Sequence, residues 1–83
     1  MMEYKKIKIQ RVILNSNNKV GLQLYIEYIN NDIIVSQYIN DVFYNKGLTL
    51  KNTPENKHHI ENLINDCLNH GYTKKCDVIE KWI

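Results

Sequence analysis

Ile33-Ile34-Val35-Ser36-Gln37-Tyr38-Ile39-Asn40-Asp41-Val42-Phe43-Tyr44-Asn45-Lys46-Gly47 is the stretch on which the fold turns, because it opens as a strand and then reads two ways. As strand, the pattern begun by three β-branched residues continues to Tyr44. As helix, Ser36 is an N-cap, Tyr38, Ile39, Val42 and Phe43 make one apolar stripe, and Gly47 supplies the stop. Both end signals agree with the helical spacing. The expectation is therefore a third strand at 33–35 followed by a short helix.

Upstream, the residues at 4–14 alternate, with Ile7, Ile9 and Ile13 on one face and Lys6, Lys8 and Gln10 on the other, while Arg11 interrupts the apolar side. Asn15-Ser16-Asn17-Asn18-Lys19 reads as a turn. A second alternating run at 20–29 points Leu22, Leu24, Ile26 and Tyr28 inward and Gln23, Tyr25 and Glu27 outward. Keeping the apolar faces together sets Ile13 near Leu22, Ile9 near Ile26 and Lys8 opposite Glu27. Asn30-Asn31-Asp32 is a second tight turn.

Downstream, Leu48-Thr49-Leu50 suggests a short edge strand. Thr53 is then a good N-cap, Pro54 suits the first helical position, Glu55 complements the helix dipole and Gly71 follows the end. Between them Ile60, Leu63, Ile64, Cys67 and Leu68 share one stripe, so an amphipathic helix of about four turns is expected. Thr73 caps a final short helix bearing Val78, Ile79 and Trp82. The expected fold is α+β: an antiparallel three- to four-stranded sheet, built from the N-terminal hairpin plus a third strand, with two to three helices packed on one face.

A chain of 83 residues allows one domain, 1–83. Hydrophobic residues at 43% and charged residues at 24% are those of a folded chain rather than a disordered one. So small a domain has a thin stability margin, which makes homodimerisation or docking on a partner unsurprising. No apolar run approaches the ~20 residues of a membrane span, and Met1-Met2-Glu3-Tyr4-Lys5-Lys6 lacks the apolar core of an export signal. A cytoplasmic location follows, and with it free thiols at Cys67 and Cys76. A net charge of +2 neither demands nucleic acid nor suits an acidic mimic of it. Ile, Asn, Lys and Tyr are abundant, Arg11 is the one arginine and alanine is absent. That bias follows AT-rich codons and points to a low-GC bacterium, or to a phage or plasmid of one.

No constellation names a reaction. His58, His59, Cys67, His70 and Cys76 contain one C-x-x-H spacing without the second short pair of a zinc site. Gly21, Gly47 and Gly71 are isolated, so no glycine-rich phosphate loop exists. No catalytic residue, metal ligand or cofactor is expected. The surface features that remain are aromatic and basic. Lys6 and Lys8 beside Gln23 and Tyr25 would give the exposed sheet face cations next to a flat ring, and Tyr72 and Trp82 are aromatics near the C-terminus suited to anchoring an interface. The expected function is a non-enzymatic protein-binding module that occupies the surface of a host protein or complex. Phages use compact α+β proteins of this size in that way, anti-CRISPR and other anti-defence inhibitors among them. The alternative is a small nucleic-acid-binding regulator that uses the basic and aromatic sheet face.

Overall fold

Two consecutive residues with left-handed backbone, Asn40 (φ 52°) and Asp41 (φ 64°), decide the segment that sequence left ambiguous. Positive φ at both central positions is the two-residue turn whose twist matches a β-hairpin, and Asn and Asp tolerate it because their short polar side chains bond locally. The computed structural model, which describes residues 4–82, accordingly continues as strand on both sides of that turn. In chain order the elements are β1 (Lys6–Ser16), β2 (Leu22–Ile29), β3 (Asp32–Ile39), β4 (Val42–Lys51), α1 (Pro54–Asn69) and β5 (Tyr72–Trp82). All five strands join one sheet in the order β4-β3-β2-β1-β5, with every neighbouring pair antiparallel.

Three expectations about the elements are corrected. The described residues form five strands and one helix, not three to four strands with two to three helices. The proposed helix after Ser36 is the β3–β4 hairpin. Its apolar spacing misled because a two-residue turn makes Ile39 and Val42 cross-strand partners, and Tyr38 and Phe43 the next pair out. Four residues at 38, 39, 42 and 43 thus fit a helical stripe and a hairpin equally well. The proposed terminal helix is β5, which finds its partner far back in sequence and pairs with β1 from Lys6↔Trp82 to Ser16↔Tyr72.

The first hairpin forms, but three residues out of the expected register: Arg11 faces Glu27, Val12 faces Ile26, Ile13 faces Tyr25 and Leu14 faces Leu24. An odd shift exchanges the two faces of a strand. Val12 and Leu14 therefore point toward the helix, and Ile9, Arg11 and Ile13 point away from it. The cause is the position of β1. Lying between β2 and β5, it is buried on both sides, with Leu14 0% exposed and Ile9 1% exposed, so its alternation carries no label for which face meets the core.

On the helix side, Leu14, Ile26, Ile33 and Val35 pack with Ile60 of α1, and Val12, Leu24, Tyr28, Leu50, Leu63, Ile64, Cys67 and Tyr72 surround them. Each fully buried aliphatic side chain here contributes about 1.5–3 kcal/mol of transfer free energy. The helix itself follows its local signals: Thr53 Oγ1 accepts from Asn56 N at 3.2 Å, Pro54 opens the first turn, and Gly71 at φ 92° follows the end. The helix is not long and apolar enough to cross a membrane.

The path of α1 across the sheet leaves two corners open. Its start is held where Asn52 N donates to Asn31 O at 2.7 Å, just past the C-terminal end of edge strand β4. Its end is held where Asn18 Nδ2 donates to His70 O at 2.9 Å, just before edge strand β5 begins. The helix thus follows one diagonal. The uncovered corners lie on the other: the tip of the β3–β4 hairpin, and the junction of the β1 start with the β5 end.

Candidate functional site

The hairpin-tip corner is assembled from the helix-free face of the sheet. There Arg11 donates through Nε and Nη2 to the two carboxylate oxygens of Asp77, at 2.9 and 2.7 Å, fixing the guanidinium plane. That guanidinium lies 5.0 Å from the Tyr25 ring centroid. Tyr25 stacks on Tyr38 with centroids 3.9 Å apart, and Tyr38 meets Phe43 edge-on at 5.7 Å. One chain of contacts therefore runs through residues of all five strands, from Asp77 in β5 to Phe43 in β4.

The hairpin turn is tied into this ladder. Asp41 Oδ1 accepts from the Tyr25 hydroxyl at 3.2 Å and from Gln23 Nε2 at 3.0 Å, while Asp41 N donates to Gln23 Oε1 at 3.0 Å. Gln23 Nε2 also donates to Asn15 Oδ1 at 2.9 Å. Behind the tip, Asn40 N donates to Gly21 O at 2.8 Å. Gly21 sits at φ 76°, and a Cβ there would collide with the Asn40 side chain, so only glycine lets the loop approach so closely.

Held in this way, the tip displays large apolar groups to solvent: Ile39 is 40% exposed, Val42 68%, Phe43 55% and Tyr44 63%, with Leu48 at 43% farther along β4. Ile39 and Val42 continue the row begun by Leu22 on the helix side, whereas Phe43 pairs with Tyr38 on the helix-free side. The hairpin is a wedge with an apolar surface on both flanks and the polar pair Asn40-Asp41 at its apex. Contiguous exposed apolar surface is uncommon on proteins that do not dock something there.

Of the residues singled out from sequence, Gln23 and Tyr25 stand on the helix-free face, where Tyr25 is buried inside the ladder. Lys6, Lys8 and Trp82 stand at the opposite corner on the helix side, so the basic and aromatic sheet face imagined from sequence does not assemble. Lys6 is bonded to Glu80 at 2.6 Å and its ammonium lies 5.6 Å from the Trp82 ring centroid. Lys8 lines an open groove of about 790 Å³ with Gln10, Tyr28, Asn52 and Val78. Tyr72 is half-buried against the core at the other end of β5. Sequence reading missed Ile39, Val42 and Phe43 as surface groups because it assigned them to a core-facing stripe. The available signal was Asn40-Asp41 flanked by apolar pairs on either side.

The titrating groups of the ladder are shifted by the contacts they make. Arg11, bonding to Asp77 and charged beside it, holds that carboxyl below the usual aspartate value. Burial, then the hydrogen bond to Asp41, push the Tyr25 hydroxyl up. Burial raises Cys67 as well, which disfavours its thiolate, and Cys76 is an exposed free thiol. Among the described residues no group of three or more His, Cys, Asp or Glu side chains gathers to hold a metal ion. No family model, curated protein or solved structure matches the chain.

Proposed function

We propose that this chain is a non-enzymatic protein-binding module whose β3–β4 tip seats in an apolar cleft of a partner protein. The observation that carries this reading is the exposed run Ile39, Val42, Phe43 and Tyr44 on a turn fixed by Asp41 to β2. A surface already ordered loses little conformational entropy on docking, which is where a small binder gains affinity. Aromatic groups of this kind are frequent anchors in interfaces. The biological setting we infer is an inhibitor encoded by a phage or other mobile element, acting in the cytoplasm of a low-GC bacterial host by occupying a surface of its machinery. Small size and the AT-rich residue bias support that setting.

A nucleic-acid-binding regulator is the second reading, favoured by Trp82, 65% exposed, beside Lys6 on the other open corner. The Glu80 carboxylate bonded to Lys6 weakens it. The two separate in one experiment. Immobilised protein is exposed to lysate of a low-GC bacterium with and without nuclease treatment, in parallel with the V42S/Y44S variant, and retained proteins are quantified by mass spectrometry. The protein-binding reading expects a partner retained by the parent chain and reduced about 30-fold or more by the variant, the loss expected of hot-spot residues. Retention that is equal for both chains, or that disappears with nuclease, contradicts it.

A further inference from the structure

β5 is an edge strand along all 11 of its residues, and it pairs with β1 without any shift in register. Its outer side therefore presents an unbroken row of backbone donors and acceptors. Soluble proteins usually guard such an edge with a bulge, a proline or charged side chains, lysine above all. β5 has no proline, and its charges are mixed: Lys74, Lys75, Asp77, Glu80 and Lys81.

That mixture is self-complementary about the middle of the strand. If a second copy lies antiparallel across a twofold axis at Asp77, Lys74 of each copy faces Glu80 of the other and Tyr72 faces Trp82. Cys76 then faces Val78, Lys75 faces Ile79, and Thr73 faces Lys81. All 11 residues find a partner. The one like-charge meeting is Asp77 with itself at the axis. Each of those carboxylates is already bonded twice to its own Arg11, and Lys75 of the other copy lies diagonal to it. Neighbouring axes are worse. An axis at Val78 opposes Lys75 to Lys81, and one at Lys75 opposes that lysine to itself. An axis at Cys76 exchanges both Lys74/Glu80 pairs for Lys75/Asp77 pairs, in which the carboxylate is already held twice by its own Arg11, and it gives up both aromatic pairs and leaves Lys81 and Trp82 beyond the end of the partner strand.

We propose that a second copy of this chain pairs with β5 through β5, about a twofold axis at Asp77, to form one continuous antiparallel sheet. The arrangement is isologous, closes on itself and consumes the open edge. It places the two β3–β4 tips at the far ends of the joined sheet, leaving both accessible, and it stands independently of what those tips bind.

Sedimentation equilibrium on the full chain tests this, across roughly 1 to 300 μM, a span that covers ordinary homodimer affinities. The expected result is a mass moving from 9.9 kDa to twice that value with concentration. Lys74→Glu, which turns two cross-strand attractions into repulsions, should weaken dimerisation about tenfold or more. Adding Glu80→Lys to it, together with Lys6→Glu so that residue 80 keeps an opposite charge beside it within its own chain, should restore dimerisation, with circular dichroism and melting confirming the fold of each variant. A mass of 9.9 kDa at every concentration overturns the proposal. So does a dimer indifferent to Lys74→Glu, or a folded reversed-charge variant that is not restored.

Discussion

The two edge strands of the sheet are finished in opposite ways. β4 shifts register against β3 twice, between Val35 and Ser36 and between Gln37 and Tyr38, and large apolar side chains crowd its exposed tip. β5 runs straight against β1 and carries charges of both signs along its length. Bulges twist an edge and interrupt its ladder, so β4 is a poor template for another strand. What it offers a partner is side chains. β5 offers backbone. The difference underlies the two proposals, side-chain docking at the first edge and strand pairing at the second, and the Asp77–Arg11–Tyr25–Tyr38–Phe43 ladder joins the two edges across the helix-free face.

The largest expected effect comes from removing the buried isoleucine of the strand beside each edge. Ile33 of β3 is 0% exposed and pairs with Leu50 of β4, and Ile9 of β1 is 1% exposed and pairs with Ile79 of β5. Ile33→Ala and Ile9→Ala should each cost about 2–5 kcal/mol in urea unfolding. A cost for Ile9→Ala below ~0.5 kcal/mol, the level of a surface change, would mean that the helix-free layer supporting β5 is not packed.

Arg11→Ala should come next. It leaves Asp77 without its bidentate partner and uncovers one face of Tyr25, for a loss of about 1–3 kcal/mol. Because Arg11 links β5 to the stack that ends at Phe43, amide exchange should quicken at both edges. Acceleration confined to β5 would show that the ladder does not reach β4.

The smallest effect is electrostatic. Asp77 has a folded-state pKa below its unfolded value, so its contribution is fully present above the ordinary aspartate range and is lost as pH falls through the folded value. Urea midpoints should therefore decline on acidification below about pH 4, and Asp77→Asn should flatten part of that decline. An unchanged slope in the variant would remove the Arg11–Asp77 pair as a source of stability.

Local signals were the legible part of the sequence. Thr53, Pro54 and Gly71 bound α1 because a helix end is written in the few residues that satisfy its free amides and carbonyls. The strands at 6–16 and 22–29 were visible as alternation, but their register was not, since β1 carries Val12 and Leu14 on one face and Ile9 and Ile13 on the other. β5 was invisible as a strand because its partner lies at the opposite end of the chain, and Val78, Ile79 and Trp82 also fit a helical spacing. The hairpin tip failed for a related reason, since the partners across a two-residue turn fall at near-helical intervals. Of the surface residues chosen from sequence, Lys6, Trp82 and Lys8 do share a corner, while Tyr25 and Gln23 bond to Asp41 and support the tip from beneath.

Hydrogen exchange of the chain, free and bound to its captured partner, compares the two edges most directly. Side-chain docking at the tip predicts new protection over residues 38–46 on binding, with β5 exchanging alike in both states. New protection over 72–82 with none at 38–46 would contradict the assignment of the β3–β4 tip as the partner-binding surface.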